Sequence, residues 1–313
     1  MSSQEISVYR TGVLLAMGGA LLWSVSGVLI KVLPQDPYVL NAMRCLIGGV
    51  VLLPMLRVKA IRFSIWLPIL LVSYSYTQAG FVMGTRMTTA ANAIALQSTA
   101  PVWVWLMLLP LHKGRPLRLL IPLAVITGGI GIMLMEPAQG TSQAGNLVAL
   151  STGVSFALVQ IALARVHVPA ISAVCLSNLT AGLVSLMLIP GGLESVSASG
   201  GEWLAVLFFG TGHSALAFVL FTMSLRRLPV THVSVLAMVE PLLNPVWVYL
   251  ATSEIPSVYG FIGWGGIMGG ILLDALMRRG LKGSRKNREP GAEQTLDGAA
   301  GGELSPVSGG KSC

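Results

Sequence analysis

The sequence predicts an all-α membrane protein with ten transmembrane helices, arranged as two inverted five-helix repeats with both termini in the cytoplasm. Three observations predict this fold: the composition, apolar segments that alternate with basic loops, and a match between the two halves of the chain. Of the 313 residues, 54% are hydrophobic and only 10% are charged. Soluble domains carry about 25% charged residues. The composition and a mean hydropathy of +0.76 are therefore typical of a polytopic membrane protein.

Ten apolar segments cover most of the chain, and most are close to the length that a helix needs to cross a bilayer. Short loops join these predicted helices, which are Thr11–Ile30, Val39–Leu56, Phe63–Thr85, Thr88–Leu111, Leu119–Met135, Asn146–Ala164, Ile171–Ile189, Trp203–Leu225, Leu228–Ser253 and Val258–Leu273.

Basic residues are concentrated in alternate loops, which predicts the orientation of the helices. With a cytoplasmic N-terminus, 17 of the 20 Lys and Arg lie on the cytoplasmic side. Lys31 and Arg86 lie on the opposite side, and Arg44 lies within a helix near that side. Cytoplasmic loops carry an excess of Lys and Arg, so the asymmetry supports the helix count and the cytoplasmic termini. We expect a multi-pass plasma-membrane protein, located in the inner membrane if the source is bacterial.

The two halves of the chain match when the first is shifted along the sequence until Pro101 falls on Pro241. The same shift aligns Phe81, Met83, Arg86, Leu96 and Gly129 with Phe221, Met223, Arg226, Leu236 and Gly269. Five helices per repeat is an odd number, so the second repeat is inverted in the membrane. Inverted repeats are a transporter architecture in which the substrate site lies near the bilayer midplane, between the repeats.

The repeat predicts four regions. A cytoplasmic N-terminus occupies residues 1–10, and the two five-helix repeats occupy residues 11–136 and 145–275. Residues 276–313 begin with basic residues and continue with Gly, Ser and acidic residues, so they bury too little apolar surface to fold alone. We expect this segment to be a disordered cytoplasmic tail.

Several functional classes have no support in the sequence. The net charge of +8 comes from loops and the tail, without the motifs of nucleic-acid-binding proteins, so we expect no nucleic-acid partner. Metal-ligand spacings, phosphate-binding loops and nucleophile elbows are missing as well. We therefore expect no cofactor, no metal, no catalytic residue and no enzymatic activity. The expected partners are the lipid bilayer and a small-molecule substrate.

Short motifs in helices two, four and nine resemble the drug/metabolite transporter superfamily, EamA type, over roughly residues 11–275. The motifs are Asn41-Ala42-Met43-Arg44, Pro101, and Glu240-Pro241 followed by Ser253-Glu254. The first half departs from the family pattern, because His112-Lys113-Gly114-Arg115 stands where Gly-Glu is usual. The resemblance implies an all-helical basket around a central cavity, in a protein that exports amino acids, other metabolites or drugs. It also implies that helices five and ten pack the two halves together or form a homodimer, and both helices are rich in glycine.

Glu240 is the leading candidate for a functional residue, because a carboxylate at bilayer depth is costly and often marks a transport site. Two interpretations remain open: Glu240 binds protons or a substrate amine, or it stays protonated and bonds a carbonyl freed by a proline. Pro241 removes a backbone donor directly after it. Since Pro101 takes the same place in the first half, Pro101 and Pro241 are expected to mark a helix break or hinge.

Other polar and aromatic side chains within the apolar segments are candidates for the wall of a substrate cavity. His213 is a second candidate for proton coupling, because imidazole titrates near physiological pH. Each of these side chains could instead hydrogen-bond or pack between helices. Besides Glu240, the predicted cavity residues are Trp23, Tyr74, Gln78, Gln97, Trp103, Trp105, His213 and Asn244. Arg44 either extends its guanidinium to the membrane surface or binds a substrate carboxylate.

The sequence thus predicts a secondary transporter that exports an amino acid-like or drug-like metabolite by alternating access and with proton coupling. One alternative is a facilitative or exchange carrier without proton coupling. The alternative from another class is a non-transporting membrane receptor or scaffold, which a cavity filled by side chains would favour.

Overall fold

The computed structural model describes residues 3–108, 120–135, 142–190 and 199–286, and every regular element in these ranges is helical. The first half contains α1 (Ser3–Trp23), α2 (Ser26–Val32), α3 (Pro37–Leu52), α4 (Trp66–Met87), α5 (Ala90–Gln97), α6 (Ala100–Leu108) and α7 (Leu120–Leu134). The second half contains α8 (Gln143–Arg165), α9 (Ala170–Met187), α10 (Gly200–Phe208), a π-helical segment (Phe209–Ala217), α11 (Phe218–Leu225), α12 (Val230–Leu236), α13 (Val239–Thr252) and α14 (Val258–Lys286).

Six stretches of the described chain are long and apolar enough to cross a membrane: Ile6–Val32, Pro37–Met55, Gln143–Arg165, Ala170–Met187, Gly200–Leu225 and Val230–Thr252. Val258–Leu273 is a shorter apolar helix. Helix α4 has sufficient length but carries the polar run from Ser73 to Gln78, and the segment of α5 and α6 is interrupted. The multi-pass membrane class is therefore supported, whereas the count of ten helices stays a prediction.

Contacts at the helix termini define two ends of the bundle. At the Lys31 end, Lys31 pairs with Glu254, which accepts a hydrogen bond from Ala90 at the start of α5, and the backbone N–H of Ser142 before α8 donates to the carbonyl of Met87. At the Arg226 end, the side chain of Arg226 donates to the carbonyls of Val166 and Val168. Helices α3, α4, α8 and α9 each run from one of these ends to the other.

Two arginines make equivalent contacts at opposite ends of the bundle. Arg226 binds two carbonyls in the loop between α8 and α9, and Arg86 binds the carbonyls of Leu33 and Gln35 in the loop between α2 and α3. The shift that takes Pro101 to Pro241 also relates the two arginines. The two loops, however, are related by a shorter shift, which aligns Leu33 with Val166. The predicted shift therefore needs correction for the first helices of the two halves.

Helix α3 packs on α9 through two reciprocal contacts that obey the same shorter shift. Gly49 of α3 receives the side chain of Leu179, and Gly182 of α9 receives the side chain of Leu46. A Cβ atom on either glycine would lie within 2.6 Å of the facing leucine. The same two residue types thus make the same contact from each helix: Leu46 and Gly49 from α3, and Leu179 and Gly182 from α9. This is the pattern of an approximate twofold axis between the helices.

Helices α7 and α14 pack closely through one of their glycine rows. A Cβ atom on Gly129 would lie 2.7 Å from the carbonyl oxygen of Gly263, and one on Gly270 would lie 2.5 Å from Ile126. In contrast, Cβ atoms on Gly128, Gly131, Gly265 and Gly269 would meet nothing within 4 Å in the described chain. One row therefore serves packing within the chain, and the predicted homodimer would have to use the other.

Two predicted features fall at or beyond the limits of the described ranges. Helix α14 continues to Lys286, so helix extends past the boundary at residue 275 where the disordered tail was expected to begin. Residues 287–313 and the departure from the family pattern at residues 112–115 lie outside the described residues.

Candidate functional site

Two helix breaks meet near the centre of the bundle. Ser98 and Thr99 separate α5 from α6, and Ala237 and Met238 separate α12 from α13. Pro101 and Pro241 lie in the first turns of α6 and α13, where a backbone N–H has no intrahelical partner and proline is tolerated. Each proline therefore begins a half-helix directly after a break, instead of kinking a continuous helix.

A small central cavity lies beside the breaks, lined by Trp23, Gln78, Phe81, Gln97, Phe156, His213, Phe218 and Glu240. Its volume is ≈ 20 Å³. A second space of ≈ 10 Å³ shares Gln97, Phe156 and Glu240 with it and reaches Pro101. A cavity needs roughly 10–15 Å³ to hold one water molecule. Among the described residues, the centre of the bundle therefore has no room for a metabolite in this conformation.

Five of the predicted cavity residues line the central cavity: Trp23, Gln78, Gln97, His213 and Glu240. Phe156, which the sequence analysis missed, stands across from Trp23 with ring centroids 5.8 Å apart. The two residues are related by the shorter shift seen in the loops and in α3 and α9. This shift would have identified Phe156 as the counterpart of Trp23.

Four predicted cavity residues lie outside this lining. Asn244 is buried against the break between α1 and α2, where its amide donates to the hydroxyl of Ser26 at 3.3 Å. Tyr74 stands behind Gln78. The indole of Trp103 donates to the hydroxyl of Thr99 at 3.0 Å, and Trp105 is half-buried on the same helix. In this conformation none of the four reaches the cavity that the other five predicted residues line.

Glu240 occupies the second position of α13, directly after the break. It lines both central spaces, and its carboxyl group has no hydrogen-bond or ion-pair partner among the described residues. The N-terminus of a helix carries a partial positive charge that favours a carboxylate. The cavity therefore contains an acid that is free to bind a proton or a cationic ligand.

Arg44 is fully buried, which is contrary to the first of its two interpretations, an extension to the membrane surface. Its guanidinium donates to Oδ1 of Asn41 at 2.8 and 3.0 Å and to the carbonyl of Gln78 at 2.9 Å. It also lies 3.3 Å from Nδ1 of His213 and 4.7 Å from the centroid of the Phe209 ring. All of these partners are uncharged, so Arg44 is a buried cation in a network of neutral acceptors.

The hydrogen-bond network continues from Arg44 into the second half of the chain. The amide of Asn41 donates to the hydroxyl of Ser185 at 2.7 Å, which joins α3 to α9. Tyr74 donates to Asn178 at 3.1 Å, and Asn178 donates to the carbonyl of Ser214 at 2.7 Å. Asn41 and Asn178 are thus structural members of the site, although neither was among the predicted cavity residues.

His213 lies within the π-helical segment, which the sequence analysis did not predict. Such segments are rare and are frequent at functional sites. Close packing accompanies this one, because a Cβ atom on Gly210 would lie 2.5 Å from Ile47. Gly210 therefore lets the π-helical segment approach α3 and bring His213 to Arg44.

An ion pair links three elements at the Lys31 end. Nζ of Lys31 lies 2.9 Å from Glu254 and donates to the carbonyl of Thr88 at 2.9 Å. Glu254 accepts a hydrogen bond from the backbone N–H of Ala90 at 2.7 Å. These contacts join α2, the end of α13 and the start of α5. They lie at the Lys31 end of the bundle, on the side where α5 and α13 border the central cavity.

Removing this ion pair is expected to open the Lys31 end more often. A partly buried pair is worth about 1 kcal/mol, so Glu254→Gln is expected to raise the open population about fivefold. The measurement is the rate at which an impermeant maleimide labels a Gln97→Cys reporter from each side of proteoliposomes. Faster labelling is expected from one side of the membrane only. Adding Lys31→Met to Glu254→Gln should increase the labelling rate little further, because the ion pair is already lost. A rate as slow as that of a Glu202→Gln control would contradict the prediction.

The structure also contains two larger spaces, but neither includes a predicted cavity residue. One of ≈ 460 Å³ is formed by the loops at Arg57 and Pro169, and one of ≈ 520 Å³ is an apolar groove between α4, α8 and α9. Among the described residues, His, Cys, Asp and Glu form no cluster that could hold a metal ion.

Apolar helices, two central helix breaks and a carboxyl group without a partner among the described residues are the features expected of a helical membrane transporter. The EamA-like transporter family matches the chain over residues 10–136 and again over residues 143–275. The chain belongs to this family. An "Uncharacterized transporter" of Archaeoglobus fulgidus is 27% identical over 259 residues, covering 81% of this chain and 92% of that protein.

The fold also resembles a solved structure described as "Crystal structure of protein". The TM-score is 0.65 at 22% sequence identity, with 87% of this chain and 99% of that chain covered. At this identity the likeness shows the fold alone.

Proposed function

We propose that the protein is a secondary transporter that exports a small amino acid-like or drug-like metabolite by alternating access, coupled to protons through Glu240. The observation that carries the proposal is the position of Glu240. Its carboxyl group faces a cavity between two helix breaks and has no partner in the described chain. Broken helices around a midplane site are a recurrent design of secondary transporters.

The proposal includes ten membrane crossings with both termini in the cytoplasm of a plasma membrane. The alternation of basic loops supports this orientation, and the paired contacts of Arg86 and Arg226 support two inverted halves. The Lys31 end would then face outward and the Arg226 end inward. A homodimer would use the outer glycine row of α7 and α14, where added Cβ atoms would meet nothing within 4 Å in the described chain.

Proton binding to Glu240 would be coupled to the movement of the two halves, because burying the charged carboxylate costs free energy. A charged carboxylate is expensive in a closed, dry cavity, whereas a protonated one is not. The protonated form of Glu240 therefore permits the cavity to close without cargo, and a cationic group on the cargo replaces the proton. Proton and cargo would then cross the membrane in opposite directions.

The small cavity is the specific observation that favours the rival function of a non-transporting receptor or scaffold. Side chains leave only ≈ 20 Å³ at the centre, so transport requires that the two ends open in turn. A second rival is a carrier that opens in this way but binds no proton.

Transport by the purified protein in proteoliposomes that enclose a pH-sensitive dye distinguishes these functions. The probes are the twenty amino acids and a set of cationic dyes, added with and without an imposed pH gradient. The proposal expects at least one probe to move protons and to accumulate against its own gradient. Probe movement that ignores the pH gradient would identify a facilitative or exchange carrier. No movement of any probe would favour the receptor or scaffold.

A further inference from the structure

We propose that His213 is a permanently neutral hydrogen-bond donor to the transported molecule, and that Arg44 is the positioning residue that keeps it so. This inference rests on the proposed transport function. It departs from the expectation that His213 shares proton coupling with Glu240, and it restricts which molecules the cavity accepts.

The contact between Arg44 and His213 determines where the imidazole carries its proton. A guanidinium group has only N–H donors and stays protonated in proteins. Nδ1 of His213 lies 3.3 Å from Nη1 of Arg44, so this ring nitrogen is the acceptor of the pair. The proton of the neutral imidazole is therefore on Nε2. Because Nε2 has no partner among the described residues, it remains available to the cavity that His213 lines.

Arg44 cannot easily move away to let Nδ1 take up a proton. Hydrogen bonds to Asn41 and to the carbonyl of Gln78 hold three of its donor positions, and Phe209 covers one face of the guanidinium. A second proton on His213 would place an N–H group against an N–H group. It would also place two cations side by side in a fully buried site, which is strongly unfavourable.

The ring of His213 is fixed in orientation as well. Its backbone carbonyl accepts a hydrogen bond from the indole of Trp23 at 3.3 Å. Its ring packs edge-on against Phe209, with centroids 4.8 Å apart and an interplanar angle of 71°. A 180° flip of the ring would place Cδ2 where Nδ1 meets Arg44 and would lose that contact, so Nε2 keeps its place at the cavity.

The charged and titratable groups around His213 leave the proton-carrying role to Glu240. Arg44 and Cys45 face this region from α3, Tyr74 faces it from α4, and Glu240 lines the same cavity from α13. Only Glu240 combines an ionisable group with direct access to the cavity and no partner in the described chain. The cavity thus offers an acid on one wall and a neutral N–H donor on another.

This arrangement selects cargo that carries a hydrogen-bond acceptor as well as a cationic or polar group. A carbonyl, carboxylate or hydroxyl oxygen would accept from Nε2 of His213, while Glu240 engages the donor or cation. A simple alkylammonium ion has no acceptor to offer. It would leave the Nε2–H group unpaired in the closed cavity and bind poorly.

The state of His213 can be measured directly by ¹⁵N NMR of the histidine-labelled protein, with the signals assigned by their loss in His213→Gln. The expected spectrum shows a neutral ring protonated on Nε2 throughout pH 5.5–8, and in Arg44→Gln the ring becomes able to titrate. Protonation of His213 near neutral pH in the wild-type protein would overturn the proposal. The wild-type spectrum decides this point even if Arg44→Gln fails to fold or no transport is found.

Transport kinetics test the donor role separately. Glutamine at position 213 keeps an N–H donor and cannot titrate, so His213→Gln is expected to retain the pH profile and the proton-to-cargo ratio. His213→Phe removes the donor and is expected to raise KM about tenfold with a smaller change in kcat. A flattened pH profile in His213→Gln, or an unchanged KM in His213→Phe, would overturn the proposal. Failure of all wild-type transport would instead overturn the proposed function.

Discussion

Replacing Glu240 with glutamine is expected to abolish accumulation of cargo driven by a pH gradient. The carboxyl group has no partner in the described chain, and glutamine has nearly the same shape but cannot bind or release a proton. One pH unit supplies about 1.4 kcal/mol per proton, which allows about tenfold accumulation. In Glu240→Gln the internal and external concentrations of cargo are expected to become equal, while cargo-for-cargo exchange persists. The measurement is accumulation in proteoliposomes with an imposed gradient.

Glu202→Gln is the matched control for this experiment. Glu202 lies at the start of α10, bonded to Ser199 and Gln35, and glutamine can keep both contacts. Its accumulation ratio should equal that of the wild-type protein. Full gradient-driven accumulation in Glu240→Gln would show that Glu240 carries no proton. Loss of exchange as well as accumulation would show that the carboxylate is also required for cargo binding.

Adding one methyl group to Gly129 is expected to destabilise the protein, whereas the same change at Gly128 is tolerated. A Cβ atom on Gly129 would lie 2.7 Å from Gly263 O and 2.9 Å from Ile267 N. Both are backbone atoms of α14, so relief requires the helices to move apart, and overpacking of this kind costs about 2 kcal/mol. At Gly128 there is nothing within 4 Å, and alanine favours the helix.

Thermal unfolding in detergent measures this difference. Gly129→Ala is expected to lower Tm by about 5 °C, and Gly128→Ala should leave Tm unchanged or raise it slightly. Equal shifts for the two variants would contradict the close packing of α7 and α14. A loss of stability in Gly128→Ala alone would indicate that the outer glycine row makes the tighter contact, in a dimer.

The class of fold could be predicted from sequence because it depends on quantities that act locally. Helices in a bilayer must be apolar and about 20 residues long. The basic residues that lie in the loops between them concentrate on the cytoplasmic side. Arg86 and Arg226 stood out because the shift between the two halves aligns them, and their contacts are equivalent in the structure. The shorter shift that relates the early helices also aligns identical residues, such as Leu46 with Leu179 and Gly49 with Gly182, but a single shift applied to the whole chain could not find it.

The details of the site could not be predicted, because a polar residue in an apolar segment needs a partner that its own segment does not reveal. Asn41 finds Ser185, which lies 144 residues away, and Arg44 finds His213, 169 residues away. Asn244 fits the pattern of a cavity residue equally well, but it meets Ser26 instead. The π-helical segment depends on close packing at Gly210, which sequence periodicity cannot show.

The π-helical segment has a consequence for engineering. Each hydrogen bond of a π-helix spans one more residue than that of an α-helix, and the corresponding part of the first half lies within the uninterrupted helix α4. His213 and Glu240, which give the cavity its distinctive chemistry, both come from one contiguous stretch of the second half. Exchanging cargo preference between relatives should therefore require transplanting residues 209–240 together with the Arg44 contact to His213, with the rest of the duplicated scaffold retained.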